Sequence, residues 1–325
     1  LEDESQNHHP SDEPDLESQA LIRVRGNSSR YFDKKSYLLR FTEEDGSYAD
    51  HPVMGMASHY EWALYGPYLD KSLIRNYMWY NIAGEVMEWA PNVRFCELFV
   101  DGAYKGLYVL SEMITAGGDG SRIQIEVKEK GVNYSGYILR LDRGSTEQIK
   151  NISPFTSYSM RSGGIVNIEY PGAKNLNADL VRSIKDDFSA FEKALYSYDY
   201  DTKDWGYRQF IDVPSFVDYL ILNEFTCNYD AGNLSTYIYK DSGGKLKMAV
   251  WDFNSCCDAY PREQANPNGF RFQNNVWYFM LLKDEDFVEA VIRRYSYLRK
   301  NVLNEAHLLD YIDGVVAFLG DAVER

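Results

Sequence analysis

Long hydrophobic runs are missing from this chain. The longest, such as residues 315–319, fall far short of the roughly 20 apolar residues that a membrane-crossing helix needs. Positive charge is also short, with 34 Lys and Arg against 49 Asp and Glu and a net charge of −15, which argues against non-specific binding to nucleic acid or to anionic membranes. The four cysteines (Cys96, Cys227, Cys256, Cys257) form no C-x-x-C pair and no zinc-type spacing, so free, buried thiols are expected rather than a disulfide framework or a structural metal. No basic segment followed by an apolar core opens the sequence, and there is no internal repeat. A P-loop, a dinucleotide G-x-G-x-x-G, H-E-x-x-H and G-x-S-x-G are all absent, which removes several common enzyme classes. Small molecules and proteins are the partners left.

At 325 residues and 45% hydrophobic content there is material for one large domain or for two lobes sharing a cleft. The 27 tyrosines and 6 tryptophans suit core and interface filling and are frequent in secreted and carbohydrate-handling proteins. Residues 1–19 are acidic, with two prolines and a His pair but no apolar period, and read as a disordered leader. Residues 20–25 predict a strand running into Gly26-Asn27-Ser28-Ser29-Arg30, a small polar loop whose backbone N–H groups can approach an anion, flanked by Arg25 and Arg30; an ordinary hairpin turn is the other reading. A strand over residues 33–41 starts with Lys34 and Lys35, either of which could meet a phosphate. Residues 62–65 suggest a short strand, and Asp70 is a plausible N-cap for a helix reaching to about residue 88. Residues 95–100 and 105–110 flank Asp101-Gly102, the clearest hairpin signal in the chain. This strand-rich part, with its one helix, is expected to end near residue 115, before a glycine-rich stretch (Gly117, Gly118, Gly120). Beyond it, strands are expected at 137–142 and 165–170 and helices at 176–196, 213–227, 284–300 and 304–322, making 116–325 mostly helical. That last pattern runs nearly to the final residue, an expectation of further chain.

The chemistry concentrates in residues 228–254, NYDAGNLSTYIYKDSGGKLKMAVWDFN. Asp241-Ser-Gly-Gly predicts a turn between strands at 237–239 and 248–251, so that the residues entering the first strand and leaving the second meet at the open end of the hairpin. Asp230 and Asp252 would converge there, with Asn228, Asn233, Ser235 and Asn254 as neutral oxygen donors. An oxygen-rich cluster of that kind suits Mg²⁺ or Mn²⁺, and one of the acids could instead accept a proton from a hydroxyl. Turn and capping roles are the alternative for the same residue types.

Six segments, in order along residues 20–260, resemble one family: R-G-N-S-S at 25–29, K-K-S-Y at 34–37, D-K-S-L-I-R-N at 70–76, F-C-E-L-F-V-D-G-A-Y-K-G-L-Y-V-L-S-E at 95–112, N-x-D…S-T-Y at 228–237 and W-D-F at 251–253. Together they resemble the spore coat protein H (CotH) family of atypical kinases. The resemblance implies an α+β, divergent protein-kinase-like two-lobed fold with a strand-rich N-lobe (20–115) and a mostly helical C-lobe (116–325). It implies transfer of the γ-phosphoryl of ATP, with Mg²⁺ or Mn²⁺, to Ser or Thr of a secreted, cell-surface or spore protein. Carried onto this chain, Asp230 is the base and Asp252 the metal-holding acid. Lys35 is the first candidate for the phosphate lysine, with Lys34 and Lys105 as rivals, and Glu112 stands where a hinge meets adenine. Arg25 and Arg75 serve phosphate or structural ion pairs. The family commonly shows W-D-F-D, whereas Asn254 stands here, and Ser235 occupies the offset from Asp230 where ordinary kinases carry Asn. The alternative is therefore a weak or inactive pseudokinase serving as a surface module, with a metal-dependent hydrolase behind it. A monomer without nucleic-acid partners is expected.

Overall fold

The computed structural model describes residues 11–116, 122–128, 132–158, 165–258, 266, 268–272, 275 and 277–323. Two five-stranded antiparallel sheets organise it. The first has the order β1-β2-β5-β7-β6, built from β1 (Gln19–Arg25), β2 (Ser36–Thr42), β5 (Glu61–Tyr65), β6 (Val93–Val100) and β7 (Ala103–Glu112). A small hairpin of β3 (His51–Val53) and β4 (Met56–His59) precedes β5. The second sheet has the order β12-β11-β8-β10-β9, from β8 (Tyr137–Asp142), β9 (Asn151–Ile152), β10 (Ile165–Tyr170), β11 (Thr236–Lys240) and β12 (Lys247–Ala249). The fold is thus α+β, as expected. That the strands after residue 115 join into a second sheet was not visible from their isolated patterns, because sheet pairing is a non-local choice.

Helix α1 (Arg75–Gly84) connects β5 to β6; α2 (Ala178–Leu195), α3 (Val213–Phe225), α4 (Tyr278–Leu281), α5 (Glu285–Leu298) and α6 (Glu305–Leu319) belong to the later part of the chain. The expected helices there are found, each slightly shorter. Asn177, Asp212, Asp284 and Asn304 cap α2, α3, α5 and α6 with side-chain oxygens that accept from first-turn amides. Helix α1 departs from expectation. It starts at Arg75 rather than near Asp70, since Leu73 adopts φ +65° and breaks the helical path. Asp70 still accepts from the Arg75 amide at 2.9 Å, capping the helix from outside it.

The Asp101-Gly102 turn has φ +51° and +75°, the type I′ signature that the D-G dipeptide predicts between β6 and β7. One large core runs from α1 and β7 through the second sheet to α2, α3 and α5, with Phe188, Phe191, Phe216, Tyr278 and Trp277 fully buried. The opposite face of the first sheet packs around Trp62, Phe41 and Tyr108. Residues 1–10 of the expected leader and the glycines at 117, 118 and 120 lie outside the described residues; residues 11–18 carry no helix or strand.

Candidate active site

Hairpin β11–β12 closes in the register Tyr237↔Ala249, Ile238↔Met248 and Tyr239↔Lys247, which sends both of its outer ends the same way. Asp230 lies in the loop that enters β11 and Asp252 three residues after β12. Both line one cleft of about 690 Å³ between the two sheets, together with Gly26, Asn27, Ser28, Asp142, Ser235 and Asn254.

Each carboxylate is fixed by its own scaffold. The Asp230 loop is folded back on itself: Leu234 N donates to Asp230 O at 2.8 Å and Gly232 N to Thr236 Oγ1 at 2.8 Å. Gly232, at φ +81°, lies against Phe272, whose ring a Cβ at that position would meet at 2.7 Å; only glycine fits. Phe272 in turn is held through its amide, which donates to Glu224 at the end of α3 at 2.7 Å.

Asp252 sits at φ +61°, a conformation that a non-glycine residue keeps only when its surroundings enforce it. Helix α1 does so. The Asp252 amide donates to Tyr80 Oη at 2.9 Å and the Phe253 amide to Asn76 Oδ1 at 2.8 Å, while the Phe253 ring is fully buried beside Trp79 and Tyr80. Arg75 completes the latch: it pairs with Asp70 at 2.5 Å and donates to the carbonyls of Cys256 at 3.0 Å and Cys257 at 3.2 Å. The segment D-K-S-L-I-R-N is therefore the part of the first half that grips the second acid, and Arg75 is a structural residue rather than a phosphate ligand.

The electrostatics follow from burial and like charge. Burial pushes Asp252 up to about 6, the charge of Asp230 adds to this, and Arg25 with the Asn254 amide pulls it back. Burial also raises Asp230; Arg143 and Arg271 counter it, Asp142 reinforces it, and Ser255 stabilises the charged form by a hydrogen bond. Positive charge in the cleft comes from arginines: Arg23, Arg25, Arg30, Arg140 and Arg143 all line it. Arg25 stacks on Trp251 at 5.6 Å, and Arg140 pairs with Glu169 at 3.0 Å. In a chain with net charge −15, such a concentration of guanidinium groups marks a place for an anion.

Of the residues singled out from sequence, Arg25, Gly26, Asn27, Ser28, Asp230, Ser235, Asp252 and Asn254 come together in the cleft. Gly26 has φ +99°, a backbone conformation that residues with a side chain rarely adopt, so the tight turn favours glycine. Six others do not line the cleft. Asn228 is fully buried, its amide bonded to Asn223 Oδ1 at 3.0 Å and to the Asp252 carbonyl at 3.2 Å, so it supports Asp252 from behind. Asn233 is exposed. Lys35 donates to the Arg30 carbonyl at 2.9 Å, and its rival Lys34 lies over the Tyr108 ring at 5.1 Å. Lys105 is exposed near the tip of the β6–β7 hairpin. Glu112 is fully buried in an ion pair with Arg122 and accepts from Asn92 N at 3.0 Å, which makes it an anchor of β7. Three cleft arginines, Arg23, Arg140 and Arg143, were missed, although a signal existed: Arg23 shares one face of a period-two strand with Arg25, and Arg140, Asp142 and Arg143 cluster at the end of β8.

The donors facing the cleft are carboxylate, hydroxyl and amide oxygens, which fit a hard divalent cation. Among the described residues no group of three or more His, Cys, Asp or Glu side chains is arranged as a metal cage. A cation here would take one or two carboxylates, Asp252 and Asp230, and draw its remaining oxygens from phosphate and water, the usual habit of Mg²⁺.

Compared with known proteins, the chain matches the family model described as CotH kinase protein over residues 22–325. No curated protein matches it. The matched span takes in both sheets from the fourth residue of β1 onward, helices α1 to α6 and every cleft residue named above, and the chain belongs to the CotH kinase protein family.

Proposed function

We propose that the protein is an atypical kinase that transfers the γ-phosphoryl of ATP to a Ser or Thr hydroxyl of a protein substrate, at the cleft between its two sheets. The observation that carries this reading is the convergence of Asp230 and Asp252, 22 residues apart in sequence, on one cleft lined by arginines and by the loop at residues 26–30. The first sheet with α1 plays the part of a small lobe and the remainder that of a large one. Asp230 accepts the proton of the acceptor hydroxyl; its raised pKa brings it nearer to neutral pH, where a base works best. Asp252 holds Mg²⁺ or Mn²⁺, which when bound supplies charge neutralisation for the phosphates. Arg25 and neighbouring arginines take the phosphate role expected of a lysine, and the backbone of residues 26–28 covers the anion. Phosphoryl transfer needs positioning and charge neutralisation more than covalent chemistry, and this cleft supplies both. A secreted, surface or spore-associated acceptor follows from the family alone.

Asn254 favours a second reading. It lines the cleft as a neutral side chain where the family commonly carries an acid, so the cation site is one charge weaker. A pseudokinase acting as a binding module would keep the cleft and lose the turnover. Incubation with labelled ATP, Mg²⁺ or Mn²⁺ and a Ser-rich protein separates the two. Transfer that disappears in Asp230→Ala and Asp252→Ala supports the kinase; label that survives both substitutions ends it, and nucleotide-induced thermal stabilisation without any transfer supports the module.

A further inference from the structure

We propose that the free edge of β1 receives the acceptor protein as an added strand, an extended acidic segment that brings its Ser or Thr to the mouth of the cleft. The docking rests on geometry and charge; only the fate of the hydroxyl rests on the kinase reading.

Strand β1 ends the first sheet and pairs on one side only, with β2. In an antiparallel pair every second residue turns its N–H and C=O away from the partner. The outer side of β1 therefore carries a row of backbone donors and acceptors that no strand among the described residues meets. All seven residues, Gln-Ala-Leu-Ile-Arg-Val-Arg, keep register with β2 without a bulge, and none is Pro, Gly or Lys. The other edges of the two large sheets are guarded: β6 has an irregular register at Leu98 and Phe99 and carries Glu97, while β9 and β12 have only two and three residues. Bulges, charges and short strands are the usual means of blunting an edge. Strand β1 is left long, unbroken and open. Its apolar side chains are open too, with Leu21 59%, Ile22 51% and Val24 47% exposed.

The period of two decides what docks there. Leu21, Arg23 and Arg25 share one face of the strand, Ala20, Ile22 and Val24 the other. Arg23 and Arg25 line the cleft, and Arg23 is exposed with no ion-pair partner among the described residues. Arg25, stacked on Trp251, adjoins the loop at residues 26–30; Arg23 stands two residues further out, about 7 Å along the strand. A partner strand would set acidic side chains against Arg23 and apolar ones against Ile22 and Val24, in alternation. Where it runs on past Arg25 it enters the cleft that Asp230 lines. Backbone pairing supplies affinity for any extended segment, and the arginine face selects charge. The occupant is thus a protein segment with Asp or Glu at every second position and Ser or Thr just past the acidic run.

The probe is a fluorescent peptide of alternating Glu and Val flanked by a Ser at each end, so that either strand direction presents one to the cleft. Its anisotropy is measured against the full chain without nucleotide and compared with that of the same peptide carrying Lys for Glu. Hydrogen exchange of the β1 amides reports where it sits. The acidic peptide should bind and slow the exchange of alternate β1 amides. Binding should weaken about threefold in Arg23→Gln, which loses a cross-strand pair, and about tenfold in Arg23→Glu, which makes that pair repulsive. Thermal unfolding shows whether the variants are folded, and the exchange result on the unaltered protein stands without them. Equal binding of the basic peptide, unweakened binding to folded Arg23→Glu, or binding without protection of β1 overturns the proposal. Outward-facing β1 amides already protected in the free protein overturn it as well, assigning the edge to residues 1–18 if dilution leaves the protection unchanged and to a second copy of the chain if dilution removes it. With ATP and Mg²⁺ or Mn²⁺ added, a peptide that protects β1 but gains no phosphate supports the docking and counts against the kinase reading; phosphate gained without protection of β1 sinks the docking alone.

Discussion

Replacing Asp252 by Asn should stabilise the protein while abolishing phosphoryl transfer, and the size of the gain follows from the site. The buried carboxyl is lifted from the ordinary aspartate value of about 4 to about 6, by loss of water first and by the charge of Asp230 second. At about 1.36 kcal/mol per pH unit, holding it ionised at neutral pH costs the folded state about 3 kcal/mol. The sign is fixed by proton binding. Between about pH 4 and about pH 6 the folded protein binds the Asp252 proton more tightly than the unfolded chain does, so stability falls as pH rises through that window and stays low above it. Asparagine keeps the volume, still accepts from the Asn254 amide, and has no charge to desolvate. For 325 residues the unfolding entropy is about 0.7 kcal/mol per kelvin, so the gain amounts to about 4 °C in Tm. Thermal unfolding in EDTA from pH 4.5 to pH 8 tests this directly. Asp252→Asn should melt close to wild type at pH 4.5 and about 4 °C higher at pH 7.5. Adding Mg²⁺ with an ATP analogue should raise the wild-type Tm and leave the variant nearly unmoved, since a ligand at about 100 times its Kd adds about 2.7 kcal/mol only where it binds. A variant no more stable than wild type at pH 7.5, or a gap independent of pH, would refute the argument that Asp252 is held against its electrostatic preference.

Asp230→Ala should lower kcat by about 10²–10⁴-fold, the usual worth of a general base, with nucleotide-induced stabilisation retained; loss of binding together with turnover would make Asp230 a ligand rather than a base. Tyr80→Phe removes only the acceptor of the Asp252 amide and should cost about 1 kcal/mol of stability with a larger proportional fall in kcat than in KM, read from urea unfolding and initial rates. Lys35→Ala should leave KM for ATP near wild type, because its ammonium is bonded to the Arg30 carbonyl, whereas Arg25→Ala should raise it; the opposite order would return the phosphate role to the lysine. Glu112→Ala removes the buried ion-pair partner of Arg122 and should destabilise by about 3 kcal/mol by chemical unfolding, an effect far too large for an exposed hinge contact.

Local chemistry was legible in the sequence wherever it acts over a few residues. The D-G turn and the Asp241-Ser-Gly-Gly turn carry their own backbone instructions, since positive φ and Asx bonding depend on the residue and its immediate neighbours. Because hairpin β11–β12 is itself a local structure, the meeting of residues 230 and 252 at its open end could be read in advance. Tertiary structure decided which charges face that meeting point. Whether a lysine reaches a phosphate or a backbone carbonyl, whether Glu112 meets solvent or Arg122, and whether Asn228 faces the cleft or supports Asp252 from behind depend on partners dozens of residues away. The same holds for the grip of α1 on Asp252: Asn76 and Tyr80 have no local reason to seek residues 252 and 253, and only the packing of the first half of the chain against the second places an acceptor where each of those amides points.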